Sequence, residues 1–390
     1  MCLELPPSDW TTIRELLCIR LDTIGDVLMT GPALRALRAG GPHRRITLLT
    51  SSAGAEASAL MPEVDDTIVY AAPWMKVERA ADAAVDTAMA ECLRERRFDA
   101  AAIFTVYTQS PLPAALLCHL AGVPLRLAHC RENPYLLLSD WMAETEPRGG
   151  VRHEVRRQLD LVAGVGAHPT GERLSLAVPE VARERMRERL GKLGLAPGRN
   201  WVVLHPGATA DSRRYPAEGW SQVCRMLTRD HGLTVLLTGG GDDEAEVASA
   251  VSMAAGAGVV VTDLPELADL AALLEAAPLL LAGNTGPVHV AAAVGTPVVD
   301  VYALTNPQHT PWGVPSRVLF QDVPCRWCYR SICPEGHHRC LRGVSPEQIV
   351  AAALSLVRGE PAPPVSLPPV PAEPARRNVR TTAGGARPST

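Results

Sequence analysis

The sequence predicts an α/β protein made of two doubly wound, mostly parallel sheets that face a central cleft. Three observations carry this expectation: a length of 390 residues, two successive alternations of short apolar runs with helix-length segments, and polar or glycine-rich loops at the ends of those runs. The length exceeds what one ordinary core fills, so two domains and a tail are expected. With 47% hydrophobic and 21% charged residues, the chain has apolar material for two buried sheets. A net charge of −4 provides no field to hold a nucleic-acid backbone, so nucleic acid is not an expected partner.

The first alternation opens with the run LLCIRL at 16–21, the polar loop DTIGD, and a helical pattern from Val27 to about Ala39. Further strands are predicted at 46–50, 66–70 and 99–104, and helices around 53–60, 76–96, 111–121 and 153–164. Residues near 167–180 show no periodicity, which places the end of a first domain, 1–175, near there. A helix over 180–193 leads into strands at 201–205, 234–238, 258–262, 279–282 and 297–302, giving a second domain over 176–358. Alternation of this kind argues for parallel sheets covered on both faces. A Cys-rich segment, 325–340, precedes a helix at about 346–357 with Ser345 as its N-cap. Residues 359–390, rich in Pro and Arg, bury too little to repay their ordering entropy and are expected to be disordered.

The N-terminal residues lack the basic start and apolar run of a signal peptide, and no stretch of about 18 apolar residues occurs. A cytoplasmic protein with at most peripheral membrane association is therefore expected. In that compartment its ten cysteines are read as thiols or metal ligands.

Open α/β sheets bind ligands beyond the carboxyl ends of their strands, so those loops are the places to seek chemistry. In the first, Gly25 is read as allowing a tight turn, and Asp26 falls at a helix start as either a cap or a functional carboxylate. After the strand ending at His205, Gly207 permits close backbone approach and Thr209 supplies a hydroxyl. Arg213 and Arg214 in the same loop offer planar forks for phosphate oxygens. A glycine-rich turn after Thr238 brings Asp243 or Glu244 within reach of a ribose or sugar hydroxyl. It lacks the spacing of dinucleotide and P-loop fingerprints. In Asn284-Thr-Gly-Pro-Val-His, the amides of Thr285 and Gly286 open a helix with Pro287 near its first position. That is an anion site suited to a diphosphate, with His289 one turn inside.

Taken in order, these motifs resemble glycosyltransferase family nine, the ADP-heptose:lipopolysaccharide heptosyltransferase family, over residues 13–357. The resemblance implies a GT-B fold of two Rossmann-like domains and an inverting transfer from a nucleotide diphosphate sugar such as ADP-heptose to a glycan or glycolipid hydroxyl. It implies that Asp26 is the base and that Thr209, Arg213, Glu244, Asn284, Thr285, Gly286 and His289 bind the donor. It departs from the family at Arg213, where Lys is common; at Tyr215, in place of Trp; at Asn284, in place of Asp; and at Asp22, which adds a rival carboxylate. With the leaving diphosphate neutralised by Arg213, His289 and amides, no cofactor or divalent metal is expected for the transfer. A nucleotide-sugar epimerase and a non-catalytic nucleotide-sugar binding protein are the competing readings. A carboxylate at Asp26 distinguishes a transferase from a mere binder.

The last motif is Cys325-x2-Cys328-x4-Cys333-x6-Cys340. Four thiols at this density suggest a structural site for zinc, iron or another thiophilic metal, with free thiols and disulfides as the other possible states.

Overall fold

The computed structural model describes residues 9–41, 43–76, 82–195, 200–239, 242–264 and 266–361. The first apolar run forms β1 (Glu15–Arg20), buried from Leu16 to Arg20, as a strand covered on both faces must be. Around it are α1 (Ile24–Ala39), β2 (Arg45–Thr50), α2 (Ser52–Ser58), β3 (Asp66–Val69), α3 (Ala83–Arg96), β4 (Ala100–Ile103) and α4 (Leu112–Leu120). Two strands that the sequence reading did not assign follow, β5 (Leu125–Cys130) and β6 (Asp140–Ala143), and then α5 (Glu154–Ala163). β5 hides its strand character because Arg126 and His129 interrupt the apolar pattern. Both are buried with partners, Arg126 donating to the Leu136 and Leu137 carbonyls at 2.7 Å.

The second half begins with α6 (Glu180–Lys192) and runs β7 (Trp201–His205), α7 (Ala217–Arg225), β8 (Thr234–Gly239), α8 (Asp242–Ala255), β9 (Val259–Asp263) and α9 (Leu267–Ala276). It continues with β10 (Leu280–Gly283), α10 (Gly286–Val294), β11 (Val298–Val301), the unassigned edge strand β12 (Ser316–Leu319), the short α11 (Arg339–Arg342) and α12 (Pro346–Val357). Ser345 caps α12 as expected, its hydroxyl accepting from Gln348 N at 3.3 Å. The expected helix over 76–96 begins at Ala83, and residues 77–81 lie outside the described residues. So does nearly all of the expected disordered tail, from residue 362 onward.

All strand pairs are parallel, in two six-stranded sheets ordered β3-β2-β1-β4-β5-β6 and β12-β11-β10-β7-β8-β9. Read from β9, the second order repeats the first. Each sheet therefore reverses its winding once, between β1 and β4 and between β7 and β10. At such a switch point the loops diverge and leave a crevice. α5 packs on α1, α6 packs on α9, and α1 meets α10, which brings the two crevices together.

Candidate active site

At the first switch point β1 delivers Arg20 and α1 starts at Ile24 with Thr23 as its N-cap. Asp26, at the third position of the helix, accepts from Thr23 N at 3.3 Å and Thr23 Oγ1 at 2.9 Å. The capping role is thus real, but only one carboxylate oxygen serves it. The other meets the guanidinium of Arg20 at 3.1 Å, and that guanidinium also pairs with Asp22 and Glu154, each at 2.8 Å. Arg20 and Glu154 are wholly buried. One fixed cation thus holds three carboxylates in place. Burial pushes Asp22 up to about 6, against the pull of Arg20. Burial acts on Asp26 too, but Arg20, His309 and the Thr23 hydrogen bond outweigh it and hold the group at about 2. Asp26 is therefore held as a carboxylate at neutral pH.

His289 sits on α10 directly opposite. A β-carbon added at Gly25 would lie 2.4 Å from His289 Cδ2, so Gly25 exists to let the imidazole press against α1. This corrects the tight-turn reading, since Gly25 lies inside the helix. Burial drives His289 down to about 3, so the ring is neutral, and its Nδ1 has no hydrogen-bond partner among the described residues. Gly25→Ala is expected to cost about 1–3 kcal/mol by overpacking. Thermal unfolding checks this, and the double variant Gly25→Ala/His289→Ala should recover most of the loss.

At the second switch point the two candidate arginines part company. Arg214 folds back on its own loop, donating to the Ala208 carbonyl at 2.9 Å and pairing with Asp211 at 3.4 Å. Arg213 makes no ion pair among the described residues, and its charge acts on His289, His309 and Asp300. Tyr215 is buried against Trp220 and donates to the Val344 carbonyl at 2.7 Å, which makes it a wall of the core. Glu244 lies over Gly207, where a β-carbon would sit 2.7 Å from its carboxyl carbon, and approaches His205 at 3.4 Å. Thr209 stands exposed on the same loop.

Two residues expected to contact the donor also bond within the protein. The Asn284 amide donates to the Ala303 carbonyl at 2.9 Å and accepts from Ala303 N at 3.1 Å, so it fixes the loop after β11. The Thr285 amide, expected to be free for an anion, donates to the Gly283 carbonyl at 2.8 Å because the chain turns tightly into α10. Gly286 opens that helix as predicted.

Sequence reasoning missed the loop after β11, which has no periodicity to mark it. His309 Nε2 lies 3.7 Å from Asp26, Asn306 Nδ2 donates to Tyr107 Oη at 3.0 Å, and His153 Nε2 lies 2.8 Å from the Thr310 carbonyl. Trp312 Nε1 donates to the Glu172 carbonyl at 2.7 Å. The loop therefore spans the cleft. On β11 itself, Asp300 is fully buried with neither oxygen hydrogen-bonded, and burial raises it well above the usual carboxylate range. Beside Asp22, a cavity of about 360 Å³ opens between Trp74, Thr108, Gln109 and Pro113.

Cys325, Cys328, Cys333 and Cys340 border one small cavity with His337 and Ser212, and none is in a disulfide. Among the described residues, no three Cys, His, Asp or Glu side chains are already grouped as metal ligands. Also among the described residues, no helix is long and apolar enough to cross a membrane.

Two facing doubly wound sheets, with a clamped carboxylate at one switch point and a free arginine and helix start at the other, define a GT-B-like architecture. The sequence pattern of glycosyltransferase family 9 (heptosyltransferase) matches residues 87–338, and the chain belongs to that family. It is 24% identical over 358 residues to lipopolysaccharide heptosyltransferase 2 of Escherichia coli K12, covering 89% of this chain and all of that one. It is 22% identical over 300 residues to a putative glycosyltransferase of Haemophilus influenzae, covering 74% of this chain and 82% of that one. Among solved structures, a family 9 glycosyltransferase of Veillonella parvula superposes with a TM-score of 0.74 at 22% identity, covering 91% of this chain and 99% of that one. An E. coli heptosyltransferase solved with ADP-2-deoxy-2-fluoro heptose gives 0.65 at 21%, covering 87% and 99%. Family membership favours the transferase over the epimerase and the non-catalytic binder.

Proposed function

We propose that the chain moves a heptosyl group from ADP-heptose to a hydroxyl of a glycan or glycolipid, with inversion. The observation that supports this most is the confrontation of Asp26, clamped by Arg20, with Arg213 and His289 across the cleft. The first domain, 1–175, would present the acceptor and the second, 176–358, the donor. As the acceptor oxygen attacks the anomeric carbon, its proton passes to Asp26 and the bond from that carbon to the diphosphate breaks. A carboxylate held this acidic takes the proton late, once the attacking oxygen has begun to bond and has itself become acidic. Negative charge gathers on the departing ADP, where Arg213 and the start of α10 meet it. Glu244 and Thr209 would meet donor hydroxyls. With a guanidinium supplying the positive charge, the transfer is expected to proceed in the presence of EDTA.

Turnover of ADP-heptose with inversion at the anomeric carbon, followed by NMR, tests the reading. Failure to bind ADP would sink it. Arg213→Ala is expected to weaken ADP binding by about 1.5–3 kcal/mol, the range for a hydrogen bond to a charged group. Arg214→Ala should change it little. Calorimetry on both variants is the check, and equal losses would mean that the loop's fold, rather than the free guanidinium, is what matters.

A further inference from the structure

We propose that Cys325, Cys328, Cys333 and Cys340 together bind one thiophilic divalent cation and that this ion steadies the turn carrying Arg213. Outside this segment the described cysteines are scattered, and most are buried. These four border a single cavity, with His337 Nε2 3.7 Å from Cys325 Sγ.

The backbone gives an independent reason. From Phe320 to His338 the chain forms no helix or strand, an unusual length for a packed connection. Within it Trp327, Tyr329 and His338 adopt left-handed φ values of 58°, 55° and 48°, which side chains rarely take. Conformations of this kind persist only where their surroundings over-determine them. A segment with so little core of its own needs a cross-link, and four thiols that border one cavity would supply the ligands for one by closing on the ion.

The segment does more than brace α12. Ser331 O accepts from Ser212 N at 3.0 Å, one residue before Arg213. Tyr329 N donates to the Leu304 carbonyl at 3.0 Å, and Tyr329 Oη lies 3.1 Å from Tyr107 Oη and 3.3 Å from Asn306 N. Leu304 and Ser212 also line the thiol cavity. An ion held there is therefore one residue from the donor arginine and touches the loop that spans the cleft. On binding, four metal–sulfur bonds form and the thiol protons leave to solvent.

The test uses the full-length reduced protein and zinc. One equivalent is expected to shield four thiols from an alkylating reagent, read by mass spectrometry, and Cys333→Ser or Cys340→Ser should abolish the shielding. Zinc should tighten ADP binding roughly tenfold, within the usual span of coupling between sites. That part rests on Arg213 meeting the diphosphate, so Arg213→Ala should bind zinc normally while losing the effect on ADP. Four thiols that stay reactive in micromolar zinc, or disulfides among them in freshly prepared protein, would overturn the metal site. Shielded thiols with unchanged ADP affinity would overturn the link to Arg213. Shielded thiols in a protein that binds no ADP at all would support the metal site and overturn the donor reading instead.

Discussion

Asp26→Asn is expected to lower turnover by about 10²–10⁴, the range for loss of a general base. ADP affinity should stay within about twofold, because in the proposed mechanism the residue would act only on the acceptor proton. Single-turnover rates and calorimetry separate the two effects. Asp22→Asn should be milder, and the reverse ranking would move the base to Asp22. The two carboxylates also differ in pH. With Asp26 held at about 2, an acid limb near 6 in the rate profile would belong to Asp22, whose protonation loosens its pairing with Arg20. Asp22→Asn should flatten that limb. The stability signs are opposite. A folded-state value raised from 3.8 to about 6 means that the Asp22 contribution is fully present below 3.8 and lost as pH rises through 6. The contribution of Asp26 is present above 3.8 and lost as pH falls through about 2.

Arg20→Leu is expected to be the most damaging single change to the fold. It leaves Asp22, Asp26 and Glu154 facing one another without their shared cation. Removing one partner of a buried pair costs about 3–5 kcal/mol. Denaturant titration measures this, and adding Glu154→Gln should restore part of the loss by removing one orphaned charge. Arg20→Lys should rescue poorly, because a single ammonium cannot reproduce a planar fork that reaches three carboxylates. Full stability in Arg20→Leu would mean that the carboxylates are held by other groups.

The sheets were legible because a buried parallel strand is a short apolar run, as at Trp201–His205, where the expected and observed limits coincide. β6 and β12 escaped because edge strands are half solvated and lose the signal, and β5 because buried charges with backbone partners look polar in sequence. Part of the cleft's lining was legible where residues sit in compact motifs: Asp26 and Arg213 both lie close enough to act on His289. Glu154 and His309 were not, since they reach Arg20 and Asp26 from 134 residues and hundreds of residues away along the chain, with no local pattern. Asn284 illustrates the opposite limit. Its position in the motif suggested a ligand contact, and the structure adds a role the sequence did not show, since each end of its amide also bonds Ala303.

The loop after β11 brings His309 beside Asp26 only while Asn306 rests on Tyr107 and Thr310 on His153. The surroundings of Asp26 therefore depend on contacts that cross the cleft. If the halves swing apart, Asp26 loses His309 and His289 together, and water entering an open cleft meets an unassembled reaction centre. Under the proposed function the loop would act as an interlock, coupling the readiness of the base to enclosure of the sugar and so guarding a costly activated donor against hydrolysis.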